Sequence, residues 1–587
     1  MSMKKKHIFL PIIIAGSLLA SCSKDFMERY PTASVSPPTF FRSETDLKTY
    51  TNLFYSYFPG DAGIYGEAAD NIVKSSVARE VSGTRLIPTT DSKWGWGPLR
   101  NINFMLNSEN VINYKDVEVR NHYIGLARFF RAYFYFEKVR WYGDVPFYNV
   151  VIETNDEANL MKPRDPRTLV MDSILADINF AIDHLDDTKS VERVTKWTAL
   201  ALKSRICLYE GTWRKYHTEF SLPDADKLLN ECVSASQLLM ESGVYKVYDK
   251  TTGPTGKPYQ DLFCQLTLDP VADEVILGRR YSNDLSLKHN LQFYITARTQ
   301  GKPGFEKRLV NSYLMDDGTR FTDQPGYDTL QFFEEVQHRD PRLSQTIRTP
   351  GYTRIGQTEI ISPDFEATMT GYQPIKWMNI PTYDGNGQSV QDLVLFRFGE
   401  VLLNYAEAKA ELGTLTQADI DKSIKLLRDR VNMPNLDMAA ANANPDPYLV
   451  NQYKNVSANN KGVILEIRRE RRIEMVMESN LRWEDLMRWK EGHLLTDAFQ
   501  GMYFPDPGFY DLDHNGSNDV EIYTGEKPPS TGPYQIPASD LSGGTKGNII
   551  TNKNIAKTFD ETKDYLWPLP IEDLNLNPNL DQNPYWK

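Results

Sequence analysis

Apolar residues return every three to four positions in three stretches of the chain, and each stretch predicts a helix. From His122 to Trp141, Tyr123, Ala127, Phe130 and Phe134 step by four, three and four, which lines them on one face. Gly143 and Pro146 follow in the order that ends a helix. A second helix begins near Thr195, an N-cap residue type, carries Ala199, Leu202, Ile206 and Tyr209 on one face, and is predicted to stop at Gly211. A third starts near Phe396, aligns Val401, Tyr405, Ala408 and Leu412, and has Gly413 just past its end. Short helices with small residues at their crossings suit antiparallel helix hairpins. Three regions break the pattern: Asp61 to Pro98, Lys250 to Gln388 and Met502 to Ile550 are dense in Gly, Pro, Asp and Asn. The expected plan is a helical scaffold carrying a loop-built face.

A fourth helix is predicted from about Val463 to Trp489. Glu466, Glu470, Glu474 and Glu478 recur every four residues, and such like-charge neighbours destabilise a helix unless neutralised. Arg468, Arg469, Arg471, Arg472 and Arg482 interleave with them, Glu478 and Arg482 in the favoured orientation. A di-metal bundle would need Glu-x-x-His pairs on facing helices, and the nearest histidine is His493. The column reads as a structural ion-pair network.

The N-terminus changes the picture. Lys4, Lys5 and Lys6 precede an apolar stretch from Ile8 to Ala20, too short for a permanent membrane span, and Leu19-Ala20-Ser21 offers small residues before Cys22. Leu-Ala-Ser-Cys resembles the lipobox of bacterial lipoproteins, which implies an acylated Cys22 as the mature N-terminus. Ser23-Lys24-Asp25 resembles the tag that sends Bacteroidota lipoproteins to the cell surface. The expected organisation is a signal peptide over 1–21, a Pro- and Ser-rich, lipid-anchored tether over 22–41 and one large domain over 42–587.

Composition narrows the partners. The 587 residues are 41% hydrophobic and 25% charged, ordinary for a globular protein, and the net charge of −12 argues against nucleic acid and anionic lipid surfaces. The 32 Tyr and 10 Trp exceed what a core needs and suit a sugar- or peptide-contacting surface. Beyond Cys22 only Cys207, Cys232 and Cys264 remain, enough for at most one disulfide and without a Cys-x-x-Cys pair; Cys207 and Cys232 fall in helical patterns and read as buried free thiols.

The same segments resemble a known family. Ala127-Arg128-Phe129-Phe130-Arg131-Ala132-Tyr133, running on to Tyr142-Gly143-Asp144-Val145-Pro146, looks like a hallmark of SusD/RagB-type proteins. Thr195-Lys196 with Ala199, Ala201 and Leu202 is similar to the next family helix, and Arg397, Glu400 and Tyr405-Ala406-Glu407-Ala408 to a third. Glu470-Arg471-Arg472-Ile473-Glu474 with Arg482-Trp483-Glu484-Asp485-Leu486 resembles a fourth, and Leu566-Trp567-Pro568-Leu569-Pro570 through Asn583-Pro584 the C-terminal block. The resemblance implies a mainly α, SusD-like fold: tetratricopeptide-like helix pairs, with loop-rich insertions forming a ligand-binding face. It also implies a non-catalytic cell-surface lipoprotein of the outer membrane. Such a protein captures a glycan, or in some members a peptide, and acts as a hinged lid over a SusC-like TonB-dependent transporter. No cofactor is required for that task.

Glycan capture needs an aromatic platform with polar groups at its edge. Trp94-Gly95-Trp96-Gly97, just before a helix carrying Asn101 and Asn103, is the first choice, and at least one of the two indoles is expected at the surface. Tyr65, Asp70 and Arg79 of the preceding loop are expected as neighbours; Tyr294, Trp377 and Tyr383 in the middle insertion are second choices. Asp511, Asp513, Asn515 and Asp519, with Gly516 at the turn, suit a structural Ca2+ ion, although Ile522 stands where an EF-hand has its bidentate Glu. An Asx-turn-rich hairpin without metal accounts for the same residues. A surface glycoside hydrolase is the enzymatic alternative, but spacing alone identifies no catalytic carboxylate pair, and no Gly-x-Ser-x-Gly, His-Glu-x-x-His or phosphate-binding Gly loop occurs.

Overall fold

The computed structural model describes residues 40–529 and 532–586. The signal peptide, Cys22 and nearly all of the tether lie outside the described residues. Helices dominate, and they form a chain of pairs. Helix α1 (Gly97–Leu106) packs on α2 (Val117–Tyr142), which packs on α3 (Arg167–His184). Helix α4 (Lys196–Tyr216) lies on α5 (Ala225–Glu241); α5 meets α6 (Phe398–Glu411), and α6 meets α7 (Lys461–Glu474). No helix among the described residues is long and apolar enough to cross a membrane.

The α2 helix starts earlier than its stripe predicts because Asp116 caps it, accepting hydrogen bonds from Glu118 N and Val119 N at 3.1 Å. Tyr123, Ala127, Phe130 and Phe134 are all buried, and so are Phe129, Tyr133, Tyr135 and Phe136 on other faces. Burial on several faces makes the stretch from Phe129 to Phe136 a spine of the fold, with Arg128, Arg131 and Glu137 left on the half-buried side. It ends at Gly143, whose left-handed φ of +73° few other residues tolerate. The C-terminal segment docks on that end: Trp567 N donates to Trp141 O at 2.7 Å, and Asn583 Nδ2 donates to Tyr142 O at 3.0 Å.

Two expected helix boundaries are corrected. Helix α4 does not stop at Gly211 but continues to Tyr216. Gly211 serves close packing, since a Cβ there would lie 2.8 Å from Leu229 Cγ on α5. The helix expected over 463–489 is two: α7 ends at Glu474 and α8 (Leu481–Arg488) begins after a turn. In that turn Met477, Ser479 and Asn480 have left-handed φ of +59°, +49° and +57°.

The break redistributes the charges. Glu470 and Glu474 bind Arg342, and Glu474 also binds Arg397 and Arg430. Glu478, now in the turn, pairs with Lys376 and Arg397 at 2.6 and 2.7 Å rather than with Arg482. The network is structural and fully buried. The insertion at 250–388 is less a surface excursion than its composition suggests: Tyr313, Tyr372 and Trp377 are among the largest fully buried side chains. Its strand β1 (Val275–Arg279) pairs antiparallel with β2 (Leu393–Arg397), and β3 (Gly508–Tyr510), β4 (Val520–Tyr523) and β5 (Tyr534–Pro537) form a small sheet, β4–β5 being parallel. Cys207, Cys232 and Cys264 are buried free thiols.

Candidate functional site

An open cleft of about 560 Å3 sits where the start of α1, the loop after α2 and the C-terminal helix α9 (Ile571–Leu576) meet. Trp96 and Leu99 form one wall, Tyr148 and Ile152 a second, and Leu160 with Leu576 a third. Val150, Leu160, Met161 and Leu576 stay exposed around it, an apolar rim of the kind that marks interaction sites. Asp573 brings a carboxylate to the edge, its pKa raised by partial burial.

The Trp-Gly-Trp-Gly loop is held from beneath by Lys138 of α2. Its ammonium donates to Gly95 O at 2.8 Å and to Lys93 O, and stands 5.2 Å from the Trp96 ring centre. Burial pushes the Lys138 pKa down to about 7. Trp94 packs edge-on against Trp96 and Tyr142, with centroids 5.4 and 4.8 Å away. It is only 3% exposed and makes the base of the cleft, whereas Trp96 is half-buried and borders the open space. Asn103 donates to Tyr148 O and Val150 O at 3.0 and 3.1 Å, fixing the opposite wall. Lys138 escapes sequence reasoning because a lone lysine on a helix face reads as solvated; only its place among Phe134, Phe136 and Trp141 hints at burial.

The other expected ligand residues are not brought to this cleft. Asn101 turns to Tyr57, donating to its hydroxyl at 3.0 Å. Asp70 is corrected from loop neighbour to core residue: its carboxylate binds Arg482 at 2.7 and 2.8 Å and Arg472 at 3.2 Å. Tyr65 is likewise buried, 5.6 Å from the half-buried Tyr294 ring, which Lys74 Nζ approaches at 5.9 Å. Trp377 is fully buried and donates through Nε1 to Met477 O at 3.1 Å, so it braces the turn before α8 instead of facing a ligand. Arg79 is exposed at the start of the short helix Arg79–Ser82, and Tyr383 is half-buried in a separate turn.

The acidic loop draws its three carboxylates together. Oxygens of Asp511, Asp513 and Asp519 lie within 4.8 Å of one another. Beside them, Asn515 Oδ1 accepts from Ser517 N at 2.8 Å. Backbone N–H groups of Asn515 and Gly516 cap Asp511, and Ser362 Oγ donates to Asp513 at 2.8 Å. Burial raises the Asp519 pKa despite the Leu512 N–H, and the two neighbouring carboxylates add to the rise.

Comparison with known proteins gives this geometry a family. A model described as "SusD family" matches residues 273–586, more than half of the chain. The chain belongs to the SusD family. A second model, described as "Starch-binding associating with outer membrane", matches residues 69–208 of this SusD-family protein. SusD-like protein P38 of Formosa agariphila is 25% identical over 534 residues, covering 85% of this chain and 94% of its own. Among solved structures, a SusD-like protein from Bacteroides fragilis is similar with a TM-score of 0.68 at 21% identity, over 95% of this chain and all of that one. A SusD-like carbohydrate binding protein from the same species gives 0.66 at 22%, over 92% of this chain and all of its own. The mainly α, SusD-like architecture is thereby established.

Proposed function

We propose that this SusD-family protein is a non-catalytic surface lipoprotein of the outer membrane, anchored through Cys22, that captures a glycan and passes it to a SusC-like TonB-dependent transporter. In this reading it acts as a lid over the barrel. The observation that carries the proposal is the Trp96 cleft: it is open and aromatic-walled, and much of it falls within the segment matched by the starch-binding, outer-membrane family description. The printed name of a structural relative, a carbohydrate binding protein, points the same way. Sugar rings present C–H faces that stack on an indole, each such contact contributing about 0.5–1.5 kcal/mol, so affinity accumulates along a polymer.

The aliphatic part of the lining, Leu99, Ile152, Leu160 and Leu576, favours a second ligand class, apolar side chains of a peptide. Binding of a form starting after Cys22 to a panel of polysaccharides and oligopeptides separates the two. Selective retention of one polymer, weakened by Trp96→Ala, supports glycan capture. Retention of peptides alone transfers the reading to peptide uptake. The acidic loop enters the proposal as a structural Ca2+ site that stiffens residues 511–519, supported by the convergence of three carboxylates there.

A further inference from the structure

A second pocket, of about 390 Å3, opens where α2 passes the turn between α7 and α8. Tyr133 and Trp141 of α2 line one side, and Ser479, Asn480 and Trp483 the other. The turn is rigid in spite of its left-handed residues. Ser479 N donates to Ile64 O at 2.7 Å, Asn480 Oδ1 accepts from Ala68 N at 2.9 Å, and Lys376 Nζ donates to Val476 O at 2.8 Å. Strained backbone persists where the surroundings over-determine it, and such strain clusters at binding sites.

Four of the pocket's polar groups lack partners. Among the described residues, the Tyr133 hydroxyl, the Ser479 hydroxyl and the Trp141 and Trp483 indole N–H groups make no hydrogen bond within the protein. Tyr133 and Trp483 are more than nine-tenths buried. An apolar occupant would cut these groups off from water and leave them unpaired, which is costly, so it would not suit. An ionic one would not suit either, because the lining charges balance, Lys93, Arg140 and Arg205 against Glu80, Glu137 and Glu484, and Lys93 lies over the Trp567 ring at 3.8 Å. Arg140 is held by Glu137 at 2.6 Å and by Glu484, and Arg205 is held by Glu400 at 2.6 Å. What remains is aromatic wall plus unpaired hydroxyl and N–H groups, in a volume within the ~300–1,000 Å3 of small-molecule sites.

We propose that this pocket is a second saccharide site, separate from the Trp96 cleft, that takes one or two neutral pyranose rings. The choice of saccharide among neutral polyols rests on the glycan-capture reading; the need for a neutral polyhydroxylated ligand does not.

The test is titration of the intact protein with maltose, cellobiose and xylobiose, and with galacturonic acid as the charged control. Binding is followed through the indole N–H resonances, assigned by single Trp→Phe replacements. At least one neutral disaccharide is expected to shift the Trp141 and Trp483 signals saturably. Tyr133→Phe, which removes only the hydroxyl, is expected to weaken that binding about three- to tenfold while leaving the sugar-free spectrum in place. Silence of both signals toward every neutral sugar at tens of millimolar overturns the proposal, as does an unchanged titration in Tyr133→Phe or a preference for the uronic acid. A polymer that shifts Trp96 but leaves Trp141 and Trp483 unmoved overturns this site and spares glycan capture at the cleft. Disaccharide shifts at Trp141 with no polymer response at Trp96 do the reverse.

Discussion

Replacing Asp70 by Asn tests whether this loop residue serves the fold rather than the ligand. The carboxylate is fully buried and faces two guanidiniums: Oδ1 accepts from Arg482 Nε at 2.7 Å, and Oδ2 accepts from Arg482 Nη2 at 2.8 Å and Arg472 Nη2 at 3.2 Å. Burial works to raise its pKa, but Arg482 and Arg472 outweigh burial and hold it well below the usual carboxylate range. An amide of the same shape removes the negative charge and turns an NH2 toward donors. Removing one partner of a buried pair costs about 3–5 kcal/mol. Arg482 keeps the Tyr453 hydroxyl at 3.0 Å and Arg472 keeps Asn71 at 2.7 Å, so the lower end, about 3 kcal/mol, is expected. The assay is urea unfolding followed by tryptophan fluorescence, with Asp70→Asn beside Asp70→Asn/Arg482→Met. The double variant should recover part of the loss, because it removes one of the orphaned charges. A folded-state pKa below the unfolded one contributes stability above the unfolded value, near 4, and loses it only as pH falls toward the folded value. The difference between wild type and variant should therefore stay flat above about pH 8, below which the neighbouring Glu67, whose pKa the Asp70 charge helps to raise, titrates as well. A single-variant loss under about 1 kcal/mol, or a double variant worse than the single, refutes the reasoning.

Burial raises the neighbouring Glu67 to about 7, in spite of the hydrogen bond its Oε2 accepts from Met477 N. With the folded pKa above the unfolded one, folding takes up a proton, and stability falls as pH rises from about 4.5 to 7. Glu67→Gln should thus match wild type below pH 5 and exceed it at pH 8 by up to about 3 kcal/mol, read from paired denaturation curves; equal destabilisation at both pH values contradicts this. Millimolar Ca2+ should raise the unfolding temperature and EGTA should reverse it, with Asp513→Asn/Asp519→Asn unresponsive. A concentration a hundred times the dissociation constant would stabilise by about 2.7 kcal/mol. No shift at all would leave residues 511–519 a hairpin of Asx turns.

The local part of the fold was legible. The stripe from Tyr123 to Phe134, the stop at Gly143 and the turn at Gly413 depend on residues a few positions apart, and pattern reading reaches that far. Gly211 misled because a glycine that ends a helix and one that admits a neighbouring helix look alike in sequence; only Leu229, on another element, decides. The break after Glu474 was hidden because 463–489 contains neither Pro nor Gly before position 492, leaving Ser479-Asn480 as the sole hint of a left-handed turn. The carboxylate column was readable as an ion-pair network, yet its partners come from Arg342, Arg397 and Arg430, far along the chain. Distance explains the site as well. Trp96 lies by the cleft its loop suggested, while Asp70, Tyr65 and Trp377 have the residue types of a ligand surface and are claimed by core neighbours that no local spacing reveals.

The most direct test of the central claim is binding of the protein, starting after Cys22, to a polysaccharide panel, with Trp96→Ala alongside. The account predicts selective binding of one polymer, short oligomers of it held far more weakly, and a loss of about three- to tenfold in the variant with an unchanged melting temperature. Equal affinity for dimer and polymer, or polymer binding indifferent to Trp96→Ala, would contradict capture at this cleft.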